Sequence, residues 1–215
     1  MVTSNTTAKE ISDLFIKTGR IQYAVISYII VGFVIFGKSF ITLWVGEEYM
    51  SVYYITLMIF VCTTIPSIQN LGNSILMAYN KMKRKTIIVI FASLLSFVAI
   101  FPCAKYWGAV GCSFPIFLCI VITYGPILNK MYARVIGINV RQFWIEILMM
   151  SLVPSLFVVA GLLILPYTDF SDWGKLGLGI IAFSVFYLPV SYRLSLNNYE
   201  RNYFNSFMRK IKFVR

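Results

Sequence analysis

The chain has 215 residues, of which 59% are hydrophobic and only 13% charged, with a net charge of +11. Ordinary globular domains carry about 25% charged residues, so this composition argues against a water-soluble domain. The basic residues fall in short loops between apolar runs rather than on one contiguous patch, which argues against nucleic acid as a partner.

Taken in chain order, the first twenty residues are polar, with no apolar core leading to a small-residue cleavage site. A cleavable signal peptide is therefore not expected. Within this stretch Ile11, Leu14, Phe15 and Thr18 recur at helical spacing, which predicts a segment lying along the membrane surface. Six apolar runs follow, at about residues 23–44, 52–77, 87–102, 109–128, 143–165 and 175–192. Most are long enough to cross a bilayer as helices. The third is short and must stand nearly upright or be extended by interfacial residues. The tail, 205–215, alternates basic and apolar residues, as a lipid-headgroup anchor would. The expected organisation is an all-α integral membrane protein: an interfacial N-terminal segment (1–21), a bundle of about six transmembrane helices (22–192) and a basic tail (193–215).

Charge sets the orientation. Of the nineteen lysines and arginines, all but Lys38, Lys105 and Lys175 fall on one side of this topology, together with both tails. That side is expected to be cytoplasmic. Aromatic residues mark the interfaces, with Trp44, Tyr49, Tyr106, Trp107, Tyr167 and Trp173 on the far side and Tyr132 and Trp144 on the basic side. The Asn5-Thr6-Thr7 sequon then sits on the cytoplasmic side and is not expected to be glycosylated.

Polar residues inside apolar runs carry the most information, because hydrocarbon offers them no partners. Thr63, Ser67, Asn70 and Ser74 form one helical stripe of the second run, and Gln69, Asn73 and Asn80 an adjacent one. Pro66 sits among them and removes a backbone donor. Two readings fit: a helix lining a water-filled path for a hydrophilic solute, or helix–helix hydrogen bonding in a packed bundle. Lys38 stands about fifteen residues into the first run, roughly 22 Å from its basic end. It either snorkels to the far interface or lines a cavity where it would bind an anion such as phosphate. Arg20, at the inner mouth of the same run, is either a positive-inside anchor or the cavity's entrance. Prolines 66, 115, 126, 154 and 189 fall within or near spans, where bent helices serve as hinges in transporters and also occur in inert bundles.

The chain has no histidine, and none of its eight carboxylates falls deep in a run. No enzyme activity, metal site or cofactor is expected, because a membrane hydrolase or metal-dependent transferase would need such groups. There is no phosphate-binding glycine loop for an ATP motor. Of Cys62, Cys103, Cys112 and Cys119, the pair Cys103 and Cys112 flanks one short outer loop. These two could bridge in an oxidising compartment, while small apolar packing is the commoner fate of a free cysteine.

Several blocks carry a family resemblance. They are Gly19-Arg20-Ile21-Gln22, Phe36-Gly37-Lys38-Ser39-Phe40-Ile41, Leu43-Trp44-Val45-Gly46-Glu47-Glu48-Tyr49, Ile65-Pro66-Ser67-Ile68-Gln69-Asn70, Ile75-Leu76-Met77-Ala78-Tyr79-Asn80-Lys81 and Tyr106-Trp107-Gly108-Ala109-Val110-Gly111. In order and spacing, over about residues 10–140, they resemble the oligosaccharide (O-antigen or capsule repeat-unit) flippases of the multidrug/oligosaccharidyl-lipid/polysaccharide exporter superfamily. The resemblance implies two helical bundles facing a partly cationic cavity, of which this chain corresponds to the C-terminal one. It implies translocation of an undecaprenyl-diphosphate-type lipid-linked oligosaccharide across the bacterial inner membrane by alternating access. Its implied partners are the N-terminal bundle, membrane lipids and, further, a polysaccharide polymerase. By position, Lys38, Gln69, Asn70 and Asn73 are the cavity candidates with Arg20 at the mouth, the amides binding sugar hydroxyls and the cations the diphosphate. The alternatives are a multidrug exporter of the same superfamily and a non-transporting fragment or assembly partner.

Overall fold

The computed structural model describes residues 8–197 and 200–202. The described residues form helices and no strands. Five segments are long and apolar enough to cross a membrane: Ala8–Trp44, Glu47–Ala78, Met82–Val135, Val140–Tyr167 and Trp173–Leu194. The chain is an all-α, multi-pass membrane protein. The sequon at Asn5 and the basic tail beyond residue 202 lie outside the described residues.

Helix α1, Ala8–Trp44, runs unbroken for 37 residues, about 55 Å at 1.5 Å per residue. It has no internal proline and stops where Gly46 turns to φ 106°. The expected surface-lying segment is therefore the first third of a continuous helix. Of the apolar residues at helical spacing, Ile11 and Phe15 are 2% and 1% exposed, whereas Leu14 faces outward at 46%. Ile11 and Phe15 pack in one core cluster with Ile68, Leu76, Tyr132 and Phe143, while Leu14 stays outside it.

The second span is two helices, α2 (Ser51–Ile68) and α3 (Leu71–Ala78), separated at Gln69 and Asn70. Around the break the amides of Asn70, Gly72 and Asn73 take short-turn bonds to Ser67, Gln69 and Asn70. Pro66, just upstream, cannot supply the donor that the carbonyl four residues earlier would receive. Asn80 was expected to continue a polar stripe in this span; instead it ends α3 in the left-handed conformation, φ 53°. Asparagine tolerates that turn, and the Lys81 amide closes it by donating to the Leu76 carbonyl at 2.9 Å.

The third and fourth apolar runs are merged as α4, Met82–Ile122, but Gly108 inside it has φ 57° and ψ −136°. Only glycine adopts that backbone readily. The chain doubles back there: Lys85 Nζ, on the first arm, lies 5.2 Å from the ring centroid of Tyr124, just past the end of the second. In a straight helix these residues would be roughly 58 Å apart. The arms press together so closely at the turn that a Cβ on Gly111 would lie 2.1 Å from the Cys103 carbonyl oxygen. Six apolar runs and five long segments are thus the same topology, with two arms joined at Gly108. The third run looked short because its helix begins at Met82, among basic residues. Cys103 and Cys112 beside the turn are free thiols, as are Cys62 and Cys119.

A π-helical segment, Thr123–Ile127, containing Gly125 and Pro126, leads into α5 (Leu128–Val135). Helix α6 (Val140–Met150) is capped by the Asn139 side chain, which accepts from the Gln142 amide. It passes through Ser151 into α7 (Leu152–Ile164), and α8 (Trp173–Leu194) starts on the Asp172 carboxylate. A second core cluster joins Val31, Ile35 and Phe36 of α1 to Leu176 and Tyr187 of α8. Hydroxyl pairs at 2.6 Å tie α1 to its neighbours, Tyr28 to Ser184 of α8 and Tyr23 to Ser151 between α6 and α7. Close packing and such bonds are the forces available between helices in lipid, where apolar burial offers little.

Candidate functional site

Two polar centres stand out. The first is a cavity of about 630 Å³ between α1 and the broken second span. Ile21, Gln22, Val25 and Ile26 of α1 form one wall; Pro66, Ser67, Asn70 and Asn73 form another, and Tyr124 of the π segment closes the side. Two helix irregularities therefore meet at this cavity. Non-helical backbone at membrane depth is tolerated where it lines a cavity, and π-bulges concentrate at functional sites. The lining mixes amides, a hydroxyl and a phenol with aliphatic surface, which suits an amphipathic solute.

Within it the Asn73 Nδ2 donates to Asn70 Oδ1 at 3.1 Å. The Asn73 Oδ1 in turn accepts from Lys85 Nζ. Lys85 is 5% exposed. Gln22 Oε1 is buried with no hydrogen-bond partner. The hydroxyls of Thr63 and Ser67 bond carbonyls of their own helix, at 2.6 and 2.7 Å. They do not cross-link neighbouring helices, so of the two readings of the stripe, its packing reading finds no support in those two residues.

The second centre is Arg20, which is 5% exposed. Its Nε and Nη2 donate to the Glu200 carboxylate at 2.6 and 3.1 Å. Nη1 donates to the Glu146 carboxylate at 2.7 Å and to its backbone carbonyl at 3.3 Å, and Nη2 also donates to the Ser195 carbonyl at 3.1 Å. A guanidinium has five N–H donors, and each finds an acceptor here. Arg20 thus fastens α1 to α6 and to the segment after α8. A smaller cavity of about 150 Å³ beside it is lined by Asp13, Lys17 and Gln142 as well as the cluster itself.

Of the five residues singled out from sequence, the structure brings Asn70 and Asn73 together on the larger cavity. Arg20 is committed to the ion cluster. Gln69, beside Asn70 in sequence, faces away: it is 1% exposed and its Nε2 donates to Asn129 Oδ1 on α5 at 3.0 Å. Lys38 is exposed near the far end of α1, its Nζ 5.4 Å from the Tyr53 ring centroid. Sequence reasoning missed Lys85 as a site residue, because it stood in a loop of four basic residues that looked like orientation charge. It also passed over Tyr124 and Gln22. Gly125-Pro126 inside an apolar run was the available sign that the helix there is irregular.

With this geometry in hand, the chain matches no protein-family model, no curated protein and no solved structure.

Proposed function

We propose that this chain is the C-terminal part of a flippase that translocates lipid-diphosphate-linked oligosaccharide repeat units across the bacterial inner membrane for surface polysaccharide synthesis. The observation that carries the reading is the larger cavity: an amphipathic space at a broken span, walled by Ser67, Asn70 and Asn73. Carboxamides donate and accept at once, which suits sugar hydroxyls. The aliphatic wall of α1 suits the isoprenoid that carries them. The family resemblance of the sequence blocks supplies the substrate class. Both tails are assigned to the cytoplasm from the basic loops. Undecaprenyl-diphosphate-linked sugar, surrounding lipid and an N-terminal bundle are the partners, and a polysaccharide polymerase is the consumer of the product.

A multidrug exporter of the same superfamily is the competing reading. It would select cations, and the cavity wall holds no carboxylate among its lining residues.

Complementation tests the proposal. The chain is expressed alone, and fused to the N-terminal bundle of a repeat-unit flippase, in a flippase-deleted bacterium. Surface polysaccharide and trapped lipid-linked repeat unit are both quantified. Rescue by the fusion is expected, with the trapped intermediate falling. Failure of both forms at normal membrane levels would remove the flippase assignment.

A further inference from the structure

Lys85 lies at the start of α4, one residue after exposed Arg84 and two after exposed Lys83, yet it is 5% exposed. Its ammonium is held between two groups that also line the larger cavity, the Asn73 side-chain oxygen and the Tyr124 ring face at 5.2 Å. Among the described residues no carboxylate pairs with it, in contrast to Arg20 and Lys175. A buried cation is ordinarily paired, because taking a charge out of water without a counter-charge is costly. Here the contacts are a neutral amide and an aromatic face, which stabilise an ammonium without cancelling its charge. The opening beside them, the cavity of about 630 Å³, has room for a counter-ion.

We propose that Lys85 is the anion-binding group of this cavity, and that its ligand is a phosphate or diphosphate ester whose non-polar portion lies along Val25 and Ile26 of α1. The inference rests on the transport reading for its physiological ligand, but the anion site itself does not. The hairpin at Gly108 makes the site, since it returns Tyr124 to Lys85. On binding, the ammonium exchanges the Asn73 oxygen for a phosphate oxygen, which is a stronger acceptor. Asn73 is then freed to turn its amide toward the ligand.

The test uses the full chain in phosphatidylcholine nanodiscs. Four probes are titrated: farnesyl diphosphate, inorganic pyrophosphate, farnesol, and nanodiscs doped with phosphatidylglycerol as competitor. Farnesyl diphosphate is expected to bind and farnesol not. Competition by phosphatidylglycerol would name a membrane headgroup as the source of the phosphate, and binding of pyrophosphate alone a free one. Lys85→Gln should weaken diphosphate binding by about tenfold or more. Lys85→Arg should retain most of it, and Lys83→Gln, the exposed neighbour, should leave it unchanged. Because Lys85→Gln risks the local fold, Asn73→Asp is the second variant: it neutralises the ammonium in place and should weaken binding comparably. Equal binding by wild type, Lys85→Gln and Asn73→Asp, or binding of farnesol as tight as its diphosphate, overturns the proposal. If the Lys85→Gln fusion restores full export in the flippase-deleted strain, the anion site falls and the flippase reading stands. If diphosphate binding depends on Lys85 while no fusion restores export, the site stands and the flippase reading falls.

Discussion

Arg20 and Glu200, 180 residues apart in the chain, meet through two hydrogen bonds of 2.6 and 3.1 Å with both side chains all but excluded from solvent. That pair closes the bundle at its basic end, because it joins the first described helix to the last described segment. Removing the guanidinium leaves Glu200 buried without its partner. Arg20→Ala is therefore expected to destabilise the protein by about 3–5 kcal/mol. Arg20→Lys should recover little, since an ammonium has three donors and no planar fork. Thermal unfolding in detergent measures both. Glu146 is 25% exposed, so its coupling to Arg20 in a double-mutant cycle should be smaller than that of Glu200. An Arg20→Ala protein as stable as wild type would mean that the cluster does not hold the helices.

The Gly108 turn gives a second prediction. A side chain at φ 57°, ψ −136° is strained whatever space surrounds it, so Gly108→Ala should cost about 1–3 kcal/mol. Gly111→Ala should do similar damage by a different route, since its Cβ would collide with the Cys103 carbonyl. Either change opens the hairpin and draws Tyr124 away from Lys85. Tyr124 fluorescence is masked by the tryptophans, so the readout is cross-linking between cysteines placed at 85 and 124. Cross-linking is expected to fall in both variants, and undiminished yield would contradict the folded-back geometry.

Tyr132 supplies a prediction of opposite sign. It is fully buried and its hydroxyl has no hydrogen-bond partner. Deleting an unsatisfied buried hydroxyl relieves a desolvation cost, so Tyr132→Phe should be neutral or stabilising by up to about 1 kcal/mol. A loss larger than that would reveal a bound water or ligand at the hydroxyl.

Lys38 and Asn70, grouped by one-dimensional spacing, occupy separate places in the fold. They share no partner: Lys38 sits over Tyr53 and Asn70 bonds Asn73. In the fusion used for complementation, the proposed function requires that Asn70→Ala lower surface polysaccharide at equal expression. Any effect of Lys38→Ala should add to it without coupling, as measured by the double variant. A non-additive pair would place both on one ligand.

At the opposite end, Asp169 is held below the ordinary carboxylate range by the hydrogen bond from Lys175, with Ser171 adding to it. A depressed carboxylate stabilises at neutral pH, and the contribution disappears as pH falls through its lowered value. Both partners are largely exposed, so Asp169→Asn should leave the melting temperature unchanged between pH 7 and about pH 5. A measurable fall would assign this loop more structure than its exposure implies.

Much of this architecture was legible in the residues. Apolar run lengths place the spans, because only helices satisfy their own backbone in lipid. The stripe through Ser67 and Asn70 does reach the cavity. What spacing could not decide was which stripe meets which neighbour: Gln69 and Asn70 differ by one residue, about 100° on a helix, and so face different partners. Loop charges were counted alike, although Lys85 is tucked inside by the left-handed turn at Asn80 and Lys83 is not. Glu146 and Glu200 lie far apart in the sequence and share no motif. Only tertiary folding, which no local pattern encodes, places both on one guanidinium.

The unbroken α1 has a mechanical consequence. A bilayer's hydrocarbon is about 30 Å thick, so a rod of about 55 Å overshoots it by several turns. Its extra turns therefore lie outside the hydrocarbon, and those that precede Arg20 are held by protein contacts instead of lipid. The ion cluster that clasps Arg20 fixes how α1 sits against α6.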